Sequence, residues 1–200
     1  MARVKRGRNY SPMSQKQSKL ALALRDRVLV RFTRPFEPGD VKGYLIDIGP
    51  SFFLLALIDG RIRFDGFQCF RKRDVRKLQV PAKYAAFAES VLKKRGERIP
   101  MKPPLDLTSL PELLSTANRA FPLVTIHRER LDPDICHIGR VVSLAKDNVS
   151  LLEIGPDARW DKKPETYRLR EITRVDFGGD YEDALHLIGS APTSHKHRQQ

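Results

Sequence analysis

The sequence predicts a mainly β protein with short flanking helices, built as two tandem five-stranded small barrels. The first observation is an internal repeat, in which residues 43–48 (GYLIDI) align with 139–144 (GRVVSL) and residues 70–78 align with 167–175. The second is a series of short apolar and β-branched runs separated by Gly and Pro turns, typical of strands. The third is the count of five such runs in each copy. Closing five short strands into a barrel would hide their edges.

The repeat indicates two copies of one small domain. The copies are offset by 96 residues at Gly43 and Gly139, and by 97 from the third strand on, where Phe52 is placed over Val149. One inserted loop residue explains this change. The resulting boundaries are a basic flexible arm, a first barrel with its closing helix, a Pro-rich linker, a second barrel with its closing helix and a flexible tail. They cover residues 1–17, 18–97, 98–107, 108–189 and 190–200.

The first copy opens with a helix capped by Ser14 or Ser18 that runs to about Asp26. Alternation and β-branching then predict strands. Gly66 inside the fourth strand indicates a bulge or a sharp bend. The predicted strands cover residues 28–32, 41–48, 52–58, 61–70 and 75–80, and a helix follows over 82–94.

The second copy repeats this order. Ser109 and Glu112 form a capping-box signature for a helix over residues 110–119, and the closing helix begins near Asp180. The predicted strands cover residues 123–127, 138–144, 149–154, 166–170 and 172–177.

The third strand of the first copy, residues 52–58, is a near-continuous apolar run, whereas Ser150 and Glu153 interrupt its counterpart. Such runs are typical of strands buried on both faces. We therefore expect residues 52–58 to pack against the second copy as well as their own.

Composition favours a cytoplasmic, non-enzymatic protein. No apolar run approaches the roughly 18 residues that a membrane span needs. Two cysteines, Cys69 and Cys136, fit a reducing compartment. Cys136 and His137 lie near Asp132, but their spacing matches no zinc pattern. No catalytic grouping or Gly-rich phosphate loop is recognisable, so neither cofactor nor metal is expected.

The net charge of +13 is concentrated at the amino-terminal side. Residues 1–19 carry six basic and no acidic residues, and residues 20–98 carry 17 basic and 9 acidic residues. Residues 99–200 carry 14 basic and 15 acidic residues. An asymmetric basic surface favours a polyanionic partner, with nucleic acid ahead of an anionic membrane surface.

The candidate nucleic-acid contacts are the densest basic cluster and the basic arm. The cluster comprises Arg71, Lys72, Arg73, Arg76 and Lys77, and the arm carries Arg3, Lys5, Arg6 and Arg8. Five cations within seven residues attract phosphate, although Lys and Arg also protect strand edges against unwanted pairing. Phe64, Phe67 and Phe70 lie nearby and are candidates for base stacking or for the core, with Phe70 assigned to the core.

The pattern resembles the Sm-like fold, including its Hfq-like branch. The matching features are the second-strand glycines Gly43 and Gly139, the apolar third strand and the paired apolar residues across the turn after the fourth. They cover most of residues 18–80 and 110–177. The same strand order occurs in other SH3-like barrels. The resemblance implies RNA binding and self-association through strand edges four and five.

The usual uridine-pocket residues of that family are absent. The places of its Asp and Asn hold Pro50 and Phe53 in the first copy, and Lys146 and Val149 in the second. The Arg-Gly pair between the fourth and fifth strands is replaced by Arg73-Asp74 and Arg170-Glu171.

The leading hypothesis is a non-enzymatic RNA-binding or RNA-associated protein that binds mainly through its basic first copy, with RNA favoured over DNA. The alternative is a protein-interaction or assembly module that forms oligomers and has no nucleic-acid ligand.

Overall fold

The structure, a computed structural model, describes residues 12–189. Its first half contains α1 (Pro12–Asp26), β1 (Leu29–Thr33), β2 (Asp40–Ile48), β3 (Phe52–Ile58), β4 (Phe64–Arg71), β5 (Arg76–Gln79) and α2 (Ala85–Lys94). The second half contains α3 (Leu110–Ala120), β6 (Val124–His127), β7 (Cys136–Leu144), β8 (Asn148–Glu153), β9 (Glu165–Arg168), β10 (Arg174–Phe177) and α4 (Asp180–Gly189). None of these four helices is long and apolar enough to cross a membrane.

The ten strands form one antiparallel sheet in the order β5-β1-β2-β3-β4-β10-β6-β7-β8-β9. The predicted mainly β class with short helices is therefore confirmed. The sheet is open and does not close into two separate barrels. In the described range the far edge of β4 bonds to β10 of the other half, pairing Phe70 with Arg174, and not to β5.

The two halves repeat one another in strand register. Gly43 lies opposite Leu57 and Gly139 opposite Glu153, and both second strands contain an irregularity at the same place. The offset is therefore 96 through the third strand as well, so Phe53 and not Phe52 corresponds to Val149. The predicted alignment was wrong by one residue. The third strand of the first half is apolar throughout, so alternation of apolar and polar residues cannot fix its alignment. The inserted residue belongs to the connection after the third strand, since the offset is 97 from residues 70 and 167 on.

Several element boundaries differ from expectation, among them the start of α2, which lies at Ala85 and not at residue 82. Helix α1 begins at Pro12 and so includes residues 12–17, which the sequence analysis assigned to the arm. Proline is favoured at the first helical position because its missing N–H has no helical partner there. Strand β4 begins at Phe64 and not at residue 61, because Asp59 Oδ1 accepts hydrogen bonds from the backbone N–H groups of Arg61 and Arg63, both at 2.9 Å. These bonds hold residues 59–63 in a turn.

Strand β3 is buried on both faces, as predicted. Phe53 and Leu55 pack in the core of the first half with α1. Phe52 and Leu54 point the other way, into a core shared with the second half and the linker. The halves are thus joined by apolar packing as well as by the β4–β10 hydrogen bonds.

A buried ionic network also connects the halves. Arg34, which follows β1, has a fully buried side chain and donates to both carboxylate oxygens of Glu129, which follows β6. Glu129 also accepts from Thr173 Oγ1 at 2.6 Å. Arg174 on β10 bonds Glu37 of the first half. Burial would raise the pKa of Glu129, but its hydrogen bonds and the Arg34 charge hold that pKa below its ordinary value.

The repeated glycines give a test of the fold. A Cβ added at Gly43 would lie 2.2 Å from the Ala56 carbonyl oxygen, and one at Gly139 would lie 2.1 Å from that of Leu152. We expect Gly43→Ala and Gly139→Ala each to destabilise the protein by about 1–3 kcal/mol, as over-packing does. Urea denaturation followed by circular dichroism measures this loss. Gly60→Ala is the control, since no atom lies within 4 Å of its added Cβ. Equal stability of the three variants would contradict the close strand approach.

Candidate nucleic-acid interface

Two turns of the first half are held side by side by backbone hydrogen bonds. The turn between β2 and β3 is closed by Gly49 N–H donating to Phe52 O at 2.9 Å. The 3₁₀ turn Lys72–Asp74, after β4, is tied to it by Lys72 N–H donating to Ser51 O at 2.9 Å. The basic cluster therefore starts beside Pro50 and Ser51.

The second half repeats this pair of turns. Ala145 N–H donates to Asn148 O at 2.9 Å, and Leu169 N–H donates to Asp147 O at 2.9 Å. The second 3₁₀ turn is Leu169–Glu171. Because β4 pairs with β10, this turn lies next to the first one across the junction of the halves.

A cavity of about 650 Å³ opens where these turns meet α1 and the start of α3. We call it the junction pocket. Its lining comes from α1, from both pairs of turns and from the end of the linker. The lining residues are Lys16, Gln17, Leu20, Pro50, Ser51, Phe52, Arg71, Lys72, Arg73, Leu107, Thr108, Ser109, Leu110, Pro111, Lys146, Leu169 and Arg170.

The junction pocket is lined by six cations and by no carboxylate. The cations are Lys16, Arg71, Lys72, Arg73, Lys146 and Arg170. Among the described residues, none of the six forms an ion pair. Asp74, adjacent in sequence, lies outside the lining and accepts a hydrogen bond from Arg130 at 2.7 Å. The lining itself therefore carries only positive charge, while Asp74 behind it interacts electrostatically with Lys16 and Arg71.

Arg71 differs from the other cluster cations because it is 8% exposed. Its Nη2 donates to the carbonyl oxygens of Leu169 at 3.2 Å and Arg170 at 2.9 Å, across the junction. Burial, with the charge of Arg73 nearby, lowers the pKa of Arg71 to about 10. Arg71 therefore holds the two turns together as well as lining the pocket.

Lys16 and Lys72 are partly buried beside it. Lys16 Nζ donates to the carbonyl oxygens of Lys72 at 3.3 Å and Val75 at 2.9 Å, which fixes α1 over the turn. Burial lowers the pKa of both lysines, and the charge of Arg76 adds to the effect at Lys16. An anion in the pocket would offset this cost.

The remaining predicted cations divide into two groups. Arg76 and Lys77 are exposed on β5, at the edge of the sheet and outside the pocket lining. Arg3, Lys5, Arg6 and Arg8 lie outside the residues that the structure describes.

The phenylalanines near the cluster pack within the protein. Phe70 is fully buried and contacts Phe32 and Phe53, in agreement with its assignment to the core. Phe67 stacks on Phe177 of the second half with ring centroids 6.1 Å apart, and Phe64 lies against Tyr44. Phe64 and Phe67 are partly exposed, and the described contacts of their rings are with other aromatic side chains of the protein.

Sequence reasoning missed three of the six pocket cations, namely Lys16, Lys146 and Arg170. One signal was present, because the repeat aligns Arg170 with Arg73. Lys146 occupies the position of Pro50, which by itself indicates no role. Lys16 is brought to the pocket by the docking of α1.

Within residues 12–189, no group of three or more His, Cys, Asp or Glu side chains is arranged to hold a metal ion. Cys69 is buried, which raises the pKa of its thiol, and Cys136 is exposed. The junction pocket combines positive charge with apolar side chains.

Comparison of the chain with protein-family models, with curated proteins and with solved structures gives no significant match to any of them. The charge and geometry of the chain itself therefore have to indicate its function.

Proposed function

We propose that this protein is a non-enzymatic RNA-binding protein whose binding site includes the junction pocket. The observation that carries the proposal is a pocket lined by six cations without a carboxylate. Unpaired Lys and Arg side chains bind phosphates and release the counterions condensed on a nucleic acid. Single strands fit better than a duplex, because a pocket of about 650 Å³ admits a nucleotide but not a double helix.

The proposed path of the strand extends from the pocket over the first half. Lys72 and Arg73 lie in the pocket, and Arg76 and Lys77 continue the positive charge along β5. The arm cations Arg3, Lys5, Arg6 and Arg8 precede α1, which itself supplies Lys16. Contacts of this kind position a strand without reading its sequence, so we expect little base specificity from them.

We further propose that each half is an Sm-like unit, built from one preceding helix and five consecutive strands of the open sheet. Two features support this proposal: the helix-and-five-strand order of each half, and the junction itself. The junction pairs the fourth strand of one half, β4, with the fifth strand of the other, β10. That is the edge pairing expected from the resemblance.

The expected result for the wild-type protein is strong salt dependence of RNA binding. Titration of a fluorescent single-stranded RNA, followed by anisotropy at several salt concentrations, should give a slope of log K against log salt of about −4 if six cations contact phosphates. RNA carried through purification should also raise the ratio of absorbance at 260 nm to that at 280 nm. Absence of binding at low salt would refute the proposed function.

The assembly-module alternative has its own supporting observation. Strands β5 and β9 form the two ends of the sheet, and they are the fifth strand of the first half and the fourth of the second. A second copy that paired β9 with β5 would repeat the β4–β10 junction. Light scattering over a range of protein concentrations tests this self-association through β9 and β5, and a strict monomer would exclude it.

A further inference from the structure

The positive charge of the junction pocket exceeds the negative charge that the interior of a nucleic-acid strand would bring into the same volume. Its six cations surround a volume typical of a site for one small ligand. The interior of a strand brings one negative charge per phosphodiester. A terminal phosphate is a monoester, which carries about −1.5 to −2 charges at neutral pH.

The lining combines cations with apolar side chains. The exposed cations Arg73, Lys146 and Arg170 come from three turns of the two halves. The apolar contribution comes from Leu20, Phe52, Leu107, Leu110, Pro111 and Leu169. A ligand that joins a compact, multiply charged phosphate to a flat, largely apolar ring matches both parts. A nucleotide has this composition.

We propose that the junction pocket binds a nucleotide that ends in a phosphomonoester or a polyphosphate, at the end of an RNA strand or as a free nucleotide. The strand-end form rests on the proposed function, since it requires the chain to bind RNA. The pocket then holds the end of the strand, while the cations of β5 and the arm contact phosphates of its interior.

Three buried or partly buried cations favour a ligand with two negative charges over one with a single charge. Lys16, Arg71 and Lys72 all have a pKa lowered by burial in the absence of a ligand. Lys16 and Arg71 each donate two hydrogen bonds to backbone carbonyl oxygens, and each has further N–H groups for which no bond is described within residues 12–189. A second negative charge on the ligand stabilises the protonated form of each group further.

The test compares oligoribonucleotides of one sequence with hydroxyl groups at both ends, with a 5′-monophosphate or with a 3′-monophosphate. We expect one phosphorylated form to bind about five- to 25-fold more tightly than the hydroxyl form at about 0.1 M salt, because one or two additional phosphate contacts each contribute about fivefold there. Competition with free nucleoside monophosphate and triphosphate then identifies the source of the phosphate. Displacement at concentrations comparable to the oligonucleotide assigns the pocket to a free nucleotide, and weak displacement assigns it to a strand end.

Two double variants locate the effect. Lys146→Gln with Arg170→Gln removes two exposed pocket cations whose side chains make no hydrogen bond or ion pair described within residues 12–189. Arg76→Gln with Lys77→Gln removes two exposed cations outside the pocket and is the matched control. The preference for the phosphorylated end should fall to less than threefold in the first variant. The preference should persist in the second variant, in which the binding of the phosphorylated and the hydroxyl oligonucleotides should be weakened equally.

The outcomes separate the two proposals. Equal binding of all three oligonucleotides, or a preference that survives loss of Lys146 and Arg170, would overturn the terminal-phosphate proposal and leave RNA binding in place. Binding of free nucleotides without any binding of oligonucleotides would support the pocket ligand and refute the proposed function. Failure of every ligand to bind a folded protein would refute both.

Discussion

Glu129→Ala should destabilise the folded protein by about 3–5 kcal/mol, the usual cost of leaving a buried charge without its partner. Arg34 has no exposed side-chain surface, and its guanidinium donates to both oxygens of Glu129. Glu37 remains as a neighbour at 2.5 Å but cannot replace both bonds. Because Arg34 and Glu129 belong to different halves, their separation should also weaken the junction that forms the pocket.

Urea denaturation followed by the fluorescence of Trp160, the single tryptophan, measures this loss. Arg159→Ala is the control, because Arg159 forms an ion pair with Asp157 while its side chain is 88% exposed. Removing such a surface pair should cost about 1 kcal/mol or less. If Glu129→Ala cost no more than Arg159→Ala, the buried pair would not hold the halves together.

Replacing Lys72, Arg73, Lys146 and Arg170 with Gln should lower RNA affinity by two to three orders of magnitude at about 0.1 M salt. The same variant should flatten the slope of log K against log salt by about 3 if each cation contacts one phosphate. Arg71 is left unchanged because its bonds to the Leu169 and Arg170 carbonyls support the junction. All four replaced side chains are exposed or partly exposed, so the fold should survive.

A second variant distinguishes local charge from net charge. Lys93, Lys94, Lys162 and Lys163 are exposed and lie outside the junction pocket, and their replacement with Gln removes the same total charge. We expect the loss of RNA affinity in this control to be at least tenfold smaller than the loss in the pocket variant. Equal losses of affinity would show that RNA binding depends on the overall charge of the protein and not on the pocket. Unchanged affinity in the pocket variant would favour the assembly module.

The order of strands and helices could be predicted from sequence because it depends on local signals. Alternation, turn residues and caps such as Ser109 act within a few residues. The double-sided burial of β3 was also predictable, since an unbroken apolar run has no face suited to water. The pairing of β4 with β10 depends on residues more than a hundred positions apart, and no local pattern encodes it.

The candidate site was predictable only in part for the same reason. In the sequence Arg71 is one cation in a basic run, and its structural role depends on the carbonyl groups of residues 169 and 170 across the junction. Lys16 and Lys146 reach the pocket through the docking of α1 and the position of the second-half turn. Charge content thus indicated a polyanionic partner, while the location of the site required the tertiary structure.

Hydrogen exchange of the protein with and without single-stranded RNA tests the central claim most directly. If RNA enters the junction pocket, backbone exchange should slow in residues 49–52, 71–74, 107–111 and 169–171, which carry most of its lining, and remain unchanged in α4, which contributes no residue to it. Measurement at high salt, where binding is lost, gives the reference. Protection confined to segments outside these four, or none under conditions in which RNA binds, would contradict the assignment of the site.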